Sequence, residues 1–206
     1  MSEITGPPAD IPSVMRSKTM QVSPCGSDTY WVRAQLSDTS PNADNGCDTT
    51  DAASNRNSRV VIHDFGLEAV VQAPALTIAE LKVWADTHPY RQCPAILPSC
   101  EALVGKSLAG GWRKAVLETL ASTSGCTHVV TLLLGLAEVR TMVFFAQMNA
   151  AQAFNETTRA DGRWMGAALD LNLPIVNACH VLTDTGPVIG TAHARRRLGL
   201  RPQSPQ

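Results

Sequence analysis

Two cysteine–histidine pairs are the residues of this sequence best suited to chemistry. Cys126 and His128 lie in the segment Gly125-Cys126-Thr127-His128, directly before a long apolar stretch, and Cys179 is followed at once by His180. Thiolate sulfur and imidazole nitrogen are ligands that zinc prefers, and a thiolate is also a nucleophile. The two pairs therefore indicate either a metal site or a reactive thiol.

His63 adds a third histidine to this set. The segment Val60–Gln72 alternates in the manner of a half-buried strand, and His63 shares the parity of Val61, Phe65 and Leu67. A buried imidazole needs a hydrogen-bond partner or a metal ion. We therefore expect His63 on the inner face of a strand, either as a satisfied core residue or as part of a site.

Only one residue of the pair Cys179-His180 can join such a site if both lie on a strand, because adjacent strand residues point to opposite faces. Cys179 has the parity of Ile175 and Val181, which are expected in the core. Cys179 is therefore the candidate of this pair.

The predicted metal ligands are His63, Cys126, His128 and Cys179, and the predicted ion is zinc. There is no Cys-x-x-Cys pair, so the site would be assembled from distant elements. With one coordination position open, such a site could activate a water molecule or a substrate carbonyl. Cys126 is expected at a helix N-terminus, which favours a thiolate, but a small buried cysteine at a turn is an equally simple interpretation.

Arg91 is a candidate for substrate binding because it lies beside Cys93 in the segment Pro89–Pro94. A guanidinium group can hold a carboxylate or a phosphate through two parallel hydrogen bonds, although a surface arginine is the simpler interpretation. The predicted catalytic residues are His63, Cys126 and Arg91.

The elements that must position these residues follow from periodicity and turn signals. Tyr30–Leu36 and Val60–Gln72 alternate as strands, whereas a capping-box pattern at Thr77–Glu80 predicts a helix that ends before Pro89. Helices are also predicted near Ser99–Gly105, over Gly111–Ala121 and over Thr127–Phe154. Strands at Leu173–Leu182 and Val188–Thr191 would flank a turn and close the fold as a hairpin.

This order of elements predicts an α+β domain. Its antiparallel sheet would combine the N-terminal strands with the C-terminal hairpin and pack against the helical middle segment. The predicted organisation is a flexible N-terminus over residues 1–20, a single domain over residues 21–194, and a basic flexible tail over residues 195–206. The polar segment Ser37–Ser58 is predicted to be a surface loop.

Composition excludes several classes of function. The net charge of −1 gives no footprint for a nucleic-acid partner. Glu138 and Arg140 interrupt the long apolar stretch, so we expect a buried helix and no membrane partner. The first residues lack a signal pattern, so a cytoplasmic location with reduced cysteines is expected.

The motifs of several enzyme classes are also missing from the sequence. It has no Walker A loop, no Rossmann glycine fingerprint, no His-Glu-x-x-His and no Gly-x-Ser-x-Gly. ATP hydrolysis, nicotinamide chemistry, zincin proteolysis and α/β-hydrolase chemistry are disfavoured accordingly.

The sequence resembles a bacterial family known as domain of unknown function 2889 over about residues 22–192. The resemblance rests on Val61-Ile62-His63-Asp64, on Pro89-Tyr90 with Cys93, on Leu103-Val104-Gly105 and Gly111-Trp112, on Gly125-Cys126-Thr127-His128 with Leu132-Leu133, and on Asn177-Ala178-Cys179-His180. It differs at Pro24-Cys25-Gly26-Ser27-Asp28, where family members usually have an Arg-x-Asp-Gly-like opening. The resemblance implies a shared fold and a role in small-molecule metabolism, and it brings no established catalytic residue.

The expected partner of this protein is a small-molecule substrate. Three hypotheses for its function follow. The first is a metal-dependent enzyme that performs a lyase or hydrolytic step on an aromatic or acyl substrate. The second is a metal-free enzyme with Cys126 as nucleophile and His128 or His63 as base. The third is a non-catalytic accessory protein of a partner enzyme, in which these residues only pack the core.

Overall fold

Four antiparallel strands, joined in chain order, form the only sheet among the described residues. The structure is a computed structural model that describes residues 13–41 and 59–198. The strands are β1 (Met15–Pro24), β2 (Thr29–Pro41), β3 (Arg59–Gln72) and β4 (Thr77–Thr87), and each pairs with the next. The predicted α+β class and the antiparallel sheet of N-terminal strands are confirmed.

The inner face of the sheet follows the predicted alternation. The buried residues of the two central strands are at most 4% exposed: Tyr30, Val32, Ala34 and Leu36 on β2, and Phe65, Leu67, Ala69 and Val71 on β3. Helix α1 (Trp112–Leu120) precedes helix α2 (Thr127–Gly135), which contacts both central strands. The indole Nε1 of Trp112 donates a hydrogen bond to the carbonyl oxygen of Leu133 at 2.7 Å and so joins α1 to α2.

The predicted helix from Thr77 is wrong, because this segment is strand β4. Ile78 pairs with Val71 and is fully buried, and Trp84 pairs with Gly66. The indole of Trp84 lies so close to Gly66 that a Cβ atom there would overlap the ring. Pairing with β3 therefore outweighs the local capping pattern, as tertiary context commonly does.

The helical segments of the middle of the chain differ in detail from the prediction. The helix predicted over Gly111–Ala121 is present as α1, and a 3₁₀ helix over Cys93–Leu103 includes most of the short helix predicted near Ser99. The long apolar helix is present as α2 and α3 (Val139–Ala151), which a 3₁₀ turn at Leu136–Glu138 joins. By length and composition alone, this stretch of 25 residues could cross a membrane, with a mean hydropathy of 1.8.

The predicted C-terminal hairpin is also wrong. Residues 173–182 form turns, and Val188–Thr191 lies within helix α6 (Pro187–Arg197). Pro187 is the first residue of α6, where its fixed φ angle suits a helix start, and the following Ala- and Arg-containing sequence favours helix. The predicted turn is retained, since the amide of Gly186 donates to the carbonyl oxygen of Thr183 at 2.9 Å.

The chain divides into two compact units, Met1–Ala137 and Glu138–Gln206. The second unit contains α3, α4 (Glu156–Ala160), α5 (Arg163–Asp170) and α6. Its core is formed by Met148, Trp164, Ala168 and Ile175.

The first strand and the last helix extend into the segments that were predicted to be flexible. Strand β1 begins at Met15, within the predicted flexible N-terminus, and α6 ends at Arg197, within the predicted tail. The start of the predicted surface loop, residues 37–41, belongs to β2. Residues 1–12, 42–58 and 199–206 of these three predicted segments lie outside the described residues.

Candidate metal centre

A row of three polar residues continues the inner face of the sheet across three neighbouring strands. Arg16 of β1 pairs with Asp38 of β2, and Asp38 pairs with His63 of β3. Asp38 has the parity of the buried Leu36, and His63 has the parity of the buried Phe65. Since alternate strand residues share a face, the row lies on the face that carries the core.

An irregularity in the β2–β3 pairing lies directly beside this row. After the pair Asp38–His63, the next pair is Thr39–Val61, so Ile62 is an extra residue in β3. Such a bulge bends a strand locally and changes the direction of the neighbouring side chains. Arg59 holds the strands together beyond the bulge by donating to Thr39 Oγ1 at 2.8 Å and to its carbonyl oxygen at 3.0 Å.

The start of α2 brings Cys126 and His128 to this row. Cys126 is the N-cap residue of α2, as the sequence predicted, and His128 lies in the first turn. Gly125 makes a close approach to the end of α1, where a Cβ atom would overlap the carbonyl oxygen of Leu120. A glycine is therefore required for the tight passage from α1 into α2.

The two histidines and the aspartate meet at one carboxylate oxygen. Asp38 Oδ2 lies 3.2 Å from His63 Nδ1 and 3.2 Å from His128 Nε2. The two imidazole rings are stacked, with centroids 3.8 Å apart and an angle of 29° between their planes. On the other side of its ring, His128 Nδ1 lies 3.5 Å from Cys126 Sγ.

Arg16 keeps the carboxylate ionised. Its Nε donates to Asp38 Oδ1 at 2.6 Å, and its Nη2 donates to Oδ2 at 2.7 Å. These hydrogen bonds lower the pKa of Asp38, and the opposing effect of burial is smaller. Asp38 is therefore a carboxylate at neutral pH, with its side chain 15% exposed.

His128 is neutral at neutral pH. Burial lowers its pKa, and the nearby His63 lowers it further, while Asp38 acts in the opposite direction. A neutral imidazole has a free lone pair on one nitrogen, which is the form that binds a metal ion or accepts a proton.

His63 Nδ1 is a buried polar atom with no hydrogen bond to any described residue, although Asp38 Oδ2 lies only 3.2 Å away. The short distance alone does not make a hydrogen bond, because the direction of approach also matters. A buried nitrogen that has no partner is costly, and a metal ion would satisfy it.

The three groups fit the coordination of one small divalent ion. One atom each from Asp38, His63 and His128 can be chosen so that all three lie within 4.8 Å of one another. Around a tetrahedral ion with ligands at about 2.0–2.1 Å, neighbouring ligand atoms are roughly 3.3 Å apart. The two separations of 3.2 Å from Oδ2 match this spacing. Oδ2 also has a second lone pair beside the one that accepts from Arg16.

Of the sequence-predicted residues, the structure brings His63, Cys126 and His128 together. Cys126 contacts His128 but does not belong to the group of three ligating atoms. Cys179 lies in the second unit, where it is exposed, and the predicted strand that would have carried it is a turn region. Arg91 is exposed in the turn after β4.

Asp38 and Arg16 were missed by sequence reasoning. Asp38 was placed in the polar surface loop and Arg16 in the flexible N-terminus, because neither segment has apolar periodicity. One signal could have found Asp38: the even parity of Val32, Ala34 and Leu36 continues to position 38.

The fold and the site together define an α+β protein with an Asp-His-His cluster at one end of an antiparallel sheet. Residues 14–142 match the model of a family described as protein of unknown function (DUF2889), and the chain belongs to this family. The matched range includes all five residues of the site: Arg16, Asp38, His63, Cys126 and His128. Neither a curated protein nor a solved structure matches the chain.

Proposed function

We propose that this protein is a metal-dependent enzyme that acts on a small molecule. It would hold one divalent ion, which we expect to be zinc, between Asp38, His63 and His128. The observation that carries the proposal is the convergence of three ligating atoms from β2, β3 and α2 within 4.8 Å. The buried Nδ1 of His63, which has no hydrogen-bond partner, adds support.

The residues of the site have distinct roles under this proposal. Arg16 keeps Asp38 ionised and fixes the direction of its carboxylate, while the low pKa of His128 keeps its lone pair available. A zinc ion with three protein ligands supplies a Lewis acid and an open position for water or a carbonyl group. We propose that the enzyme performs a hydrolytic or lyase step on an aromatic or acyl substrate in the cytoplasm. Arg91 is a candidate for binding this substrate.

Metal content and thermal stability test the metal site directly. We expect about one zinc ion per chain in the purified protein, and a melting temperature that falls on chelation and recovers on addition of zinc. Binding to the folded state alone stabilises it by roughly 2.7 kcal/mol at a free zinc concentration 100 times Kd. A His88→Ala variant is the matched control, because His88 is a histidine of the first unit outside the cluster.

Two results would contradict the proposed site. One is a protein that contains no metal and whose melting temperature does not respond to zinc. The other is a zinc response that remains unchanged after His63→Ala, since this substitution removes a proposed ligand.

A second candidate is a metal-free thiol enzyme, and one specific observation favours it. Cys126 Sγ, His128 and Asp38 form a continuous chain of contacts, with 3.5 Å from the sulfur to Nδ1 and 3.2 Å from Nε2 to Oδ2. This is the order of nucleophile, base and orienting carboxylate in a cysteine–histidine–aspartate triad. In that mechanism, the sulfur would attack an acyl carbon while His128 accepts the thiol proton. His128 would then give this proton to the leaving group as its bond to the acyl carbon breaks, and water would later hydrolyse the acyl–sulfur bond.

Alkylation by iodoacetamide distinguishes this candidate from the metal site. A thiol enzyme requires that Cys126 in the metal-free protein reacts at neutral pH at least about 10-fold faster than the exposed Cys25, and that His128→Ala removes the difference. Reaction of Cys126 at the rate of Cys25 or slower, or an advantage that persists in His128→Ala, would exclude the second candidate.

A further inference from the structure

The N-cap of α2 holds a residue that does not cap the helix. Cys126 makes no side-chain hydrogen bond to the first turn of α2. Serine, threonine, asparagine and aspartate are the residues that normally occupy this position. The chain uses such a cap at α4, where the side chain of Asn155 accepts from the amide of Thr158 at 2.9 Å.

The sulfur of Cys126 is directed at His128 instead. It lies 3.5 Å from Nδ1, whereas Nε2 of the same ring faces Asp38 Oδ2 at 3.2 Å. The two ring nitrogens point in different directions, so a contact at Nδ1 determines where Nε2 lies. The stacked ring of His63 restrains the plane of the imidazole in addition.

We infer that Cys126 is a positioning residue of the metal site, which orients His128 so that Nε2 and not Nδ1 faces the ion. The inference rests on the proposed metal-binding function. Under this inference the sulfur contacts a ligand of the ion but does not itself bind the ion, because Sγ lies on the Nδ1 side of the ring and Nε2 is the nitrogen beside Oδ2. A hydrogen-bond partner at the second ring nitrogen commonly fixes the ring orientation of a metal-binding histidine.

A thiol can contact His128 both in the metal-free protein and in the metal-bound protein. Without an ion, Nε2–H would face Asp38 Oδ2 and the thiol would donate to Nδ1. If an ion were held at Nε2, the ring proton would be on Nδ1, and Nδ1–H would donate to the sulfur. The cysteine side chain can make either contact because its sulfur is both a weak donor and a weak acceptor.

A serine at this position is not equivalent. A C–O bond is shorter than a C–S bond, so the hydroxyl oxygen would lie farther from Nδ1 than the sulfur does, beyond hydrogen-bond distance. The hydroxyl group would instead accept a hydrogen bond from the first turn of α2, as N-cap serines do. Compared with Cys126→Ala, Cys126→Ser is therefore expected to be more stable without metal, although both variants should bind the metal more weakly than the parent protein.

The test uses the full chain and its Cys126→Ala and Cys126→Ser variants. Zinc affinity is measured by competition with a chromophoric chelator, and the melting temperature is measured without metal. We expect both variants to bind zinc roughly 10–100-fold more weakly. The metal-free Cys126→Ser variant is expected to melt about 2–4 °C higher than Cys126→Ala, because only serine caps the helix. Cys93→Ser is the control, since Cys93 lies at the start of the 3₁₀ helix, outside the cluster.

Each alternative gives a different result. Zinc affinities equal to that of the parent protein in both variants would overturn the positioning role while leaving the metal site intact. A sulfur-to-metal charge-transfer band in the Co²⁺-loaded parent that is absent from Cys126→Ala would show that the sulfur is a ligand, and would also overturn it. A parent protein that binds neither ion would overturn the proposed function and this inference together.

Discussion

Asparagine at position 38 is expected to abolish zinc binding, although it has nearly the same shape as aspartate. The carboxylate is the anionic member of the cluster, and its Oδ2 lies 3.2 Å from a nitrogen of each histidine. A neutral amide oxygen is a weaker ligand for zinc, which is bound by sulfur, imidazole and carboxylate groups. We therefore expect Asp38→Asn to contain no stoichiometric zinc and to lose the rise in melting temperature on addition of zinc.

The same substitution has a separate effect on the metal-free protein. It removes the ion pair with Arg16, whose side chain is 45% exposed, so solvent screening limits the loss to roughly 1 kcal/mol. Because the pKa of Asp38 is lowered in the folded state, this contribution is present at neutral pH and is lost as the pH falls below the ordinary value of 3.8. The parent and the variant should therefore have similar stabilities once Asp38 is protonated.

Elemental analysis, together with urea unfolding in the presence of chelator, measures both effects of Asp38→Asn. Asp64→Asn is the matched control, because Asp64 is the neighbour of His63 but accepts a hydrogen bond from Gln35 at 2.8 Å. The control is expected to keep the zinc content of the parent. Full zinc content in Asp38→Asn would show that zinc binds without the Asp38 carboxylate, and would contradict the proposed Asp38-His63-His128 ligand set.

Alanine at position 125 is expected to destabilise the first unit and disrupt the site at the same time. The added Cβ atom would overlap the carbonyl oxygen of Leu120, which is backbone and cannot rotate away. Forcing such an atom into a packed region typically costs about 1–3 kcal/mol. Relief of the clash must move Cys126 and the start of α2, so we expect Gly125→Ala also to lower zinc affinity by at least about 10-fold.

Gly135→Ala is the control for this prediction, because Gly135 ends the same helix and a Cβ atom there would meet no neighbouring atom within 4 Å. Such a change in an open helical position is expected to leave stability unchanged or to raise it by about 0.4–1 kcal/mol. Urea unfolding of the metal-free proteins and chelator competition measure the two properties. Equal stabilities for Gly125→Ala and the parent would contradict the close packing of α1 against the start of α2.

Local periodicity in the sequence was enough to predict several parts of the fold. The alternation at Tyr30–Leu36 and Val60–Gln72 identified the two central strands, and parity placed His63 on the inner face. The position of Cys126 at the start of a helix followed from the apolar stretch after it. These features could be predicted because a strand face or a helix start depends on residues close together in the chain.

The polar residue that completes the site is set by how distant strands pair. The parity of Val32, Ala34 and Leu36 extends to Asp38, but Asp38 meets His63 only through the register between β2 and β3. Register depends on the pairing of distant residues and on the extra residue in β3, so local patterns do not reveal it.

Tertiary contacts also decided the elements whose local signals were misleading. The capping pattern at Thr77 predicted a helix, but pairing with β3 makes the segment a strand. The short run Val188–Thr191 suggested a strand, but it lies within α6. The C-terminal hairpin had supplied the strand for Cys179, and without it the cysteine is an exposed residue of the second unit. The candidate site therefore combines residues whose types the sequence displays with an aspartate that only the pairing of distant strands brings to them.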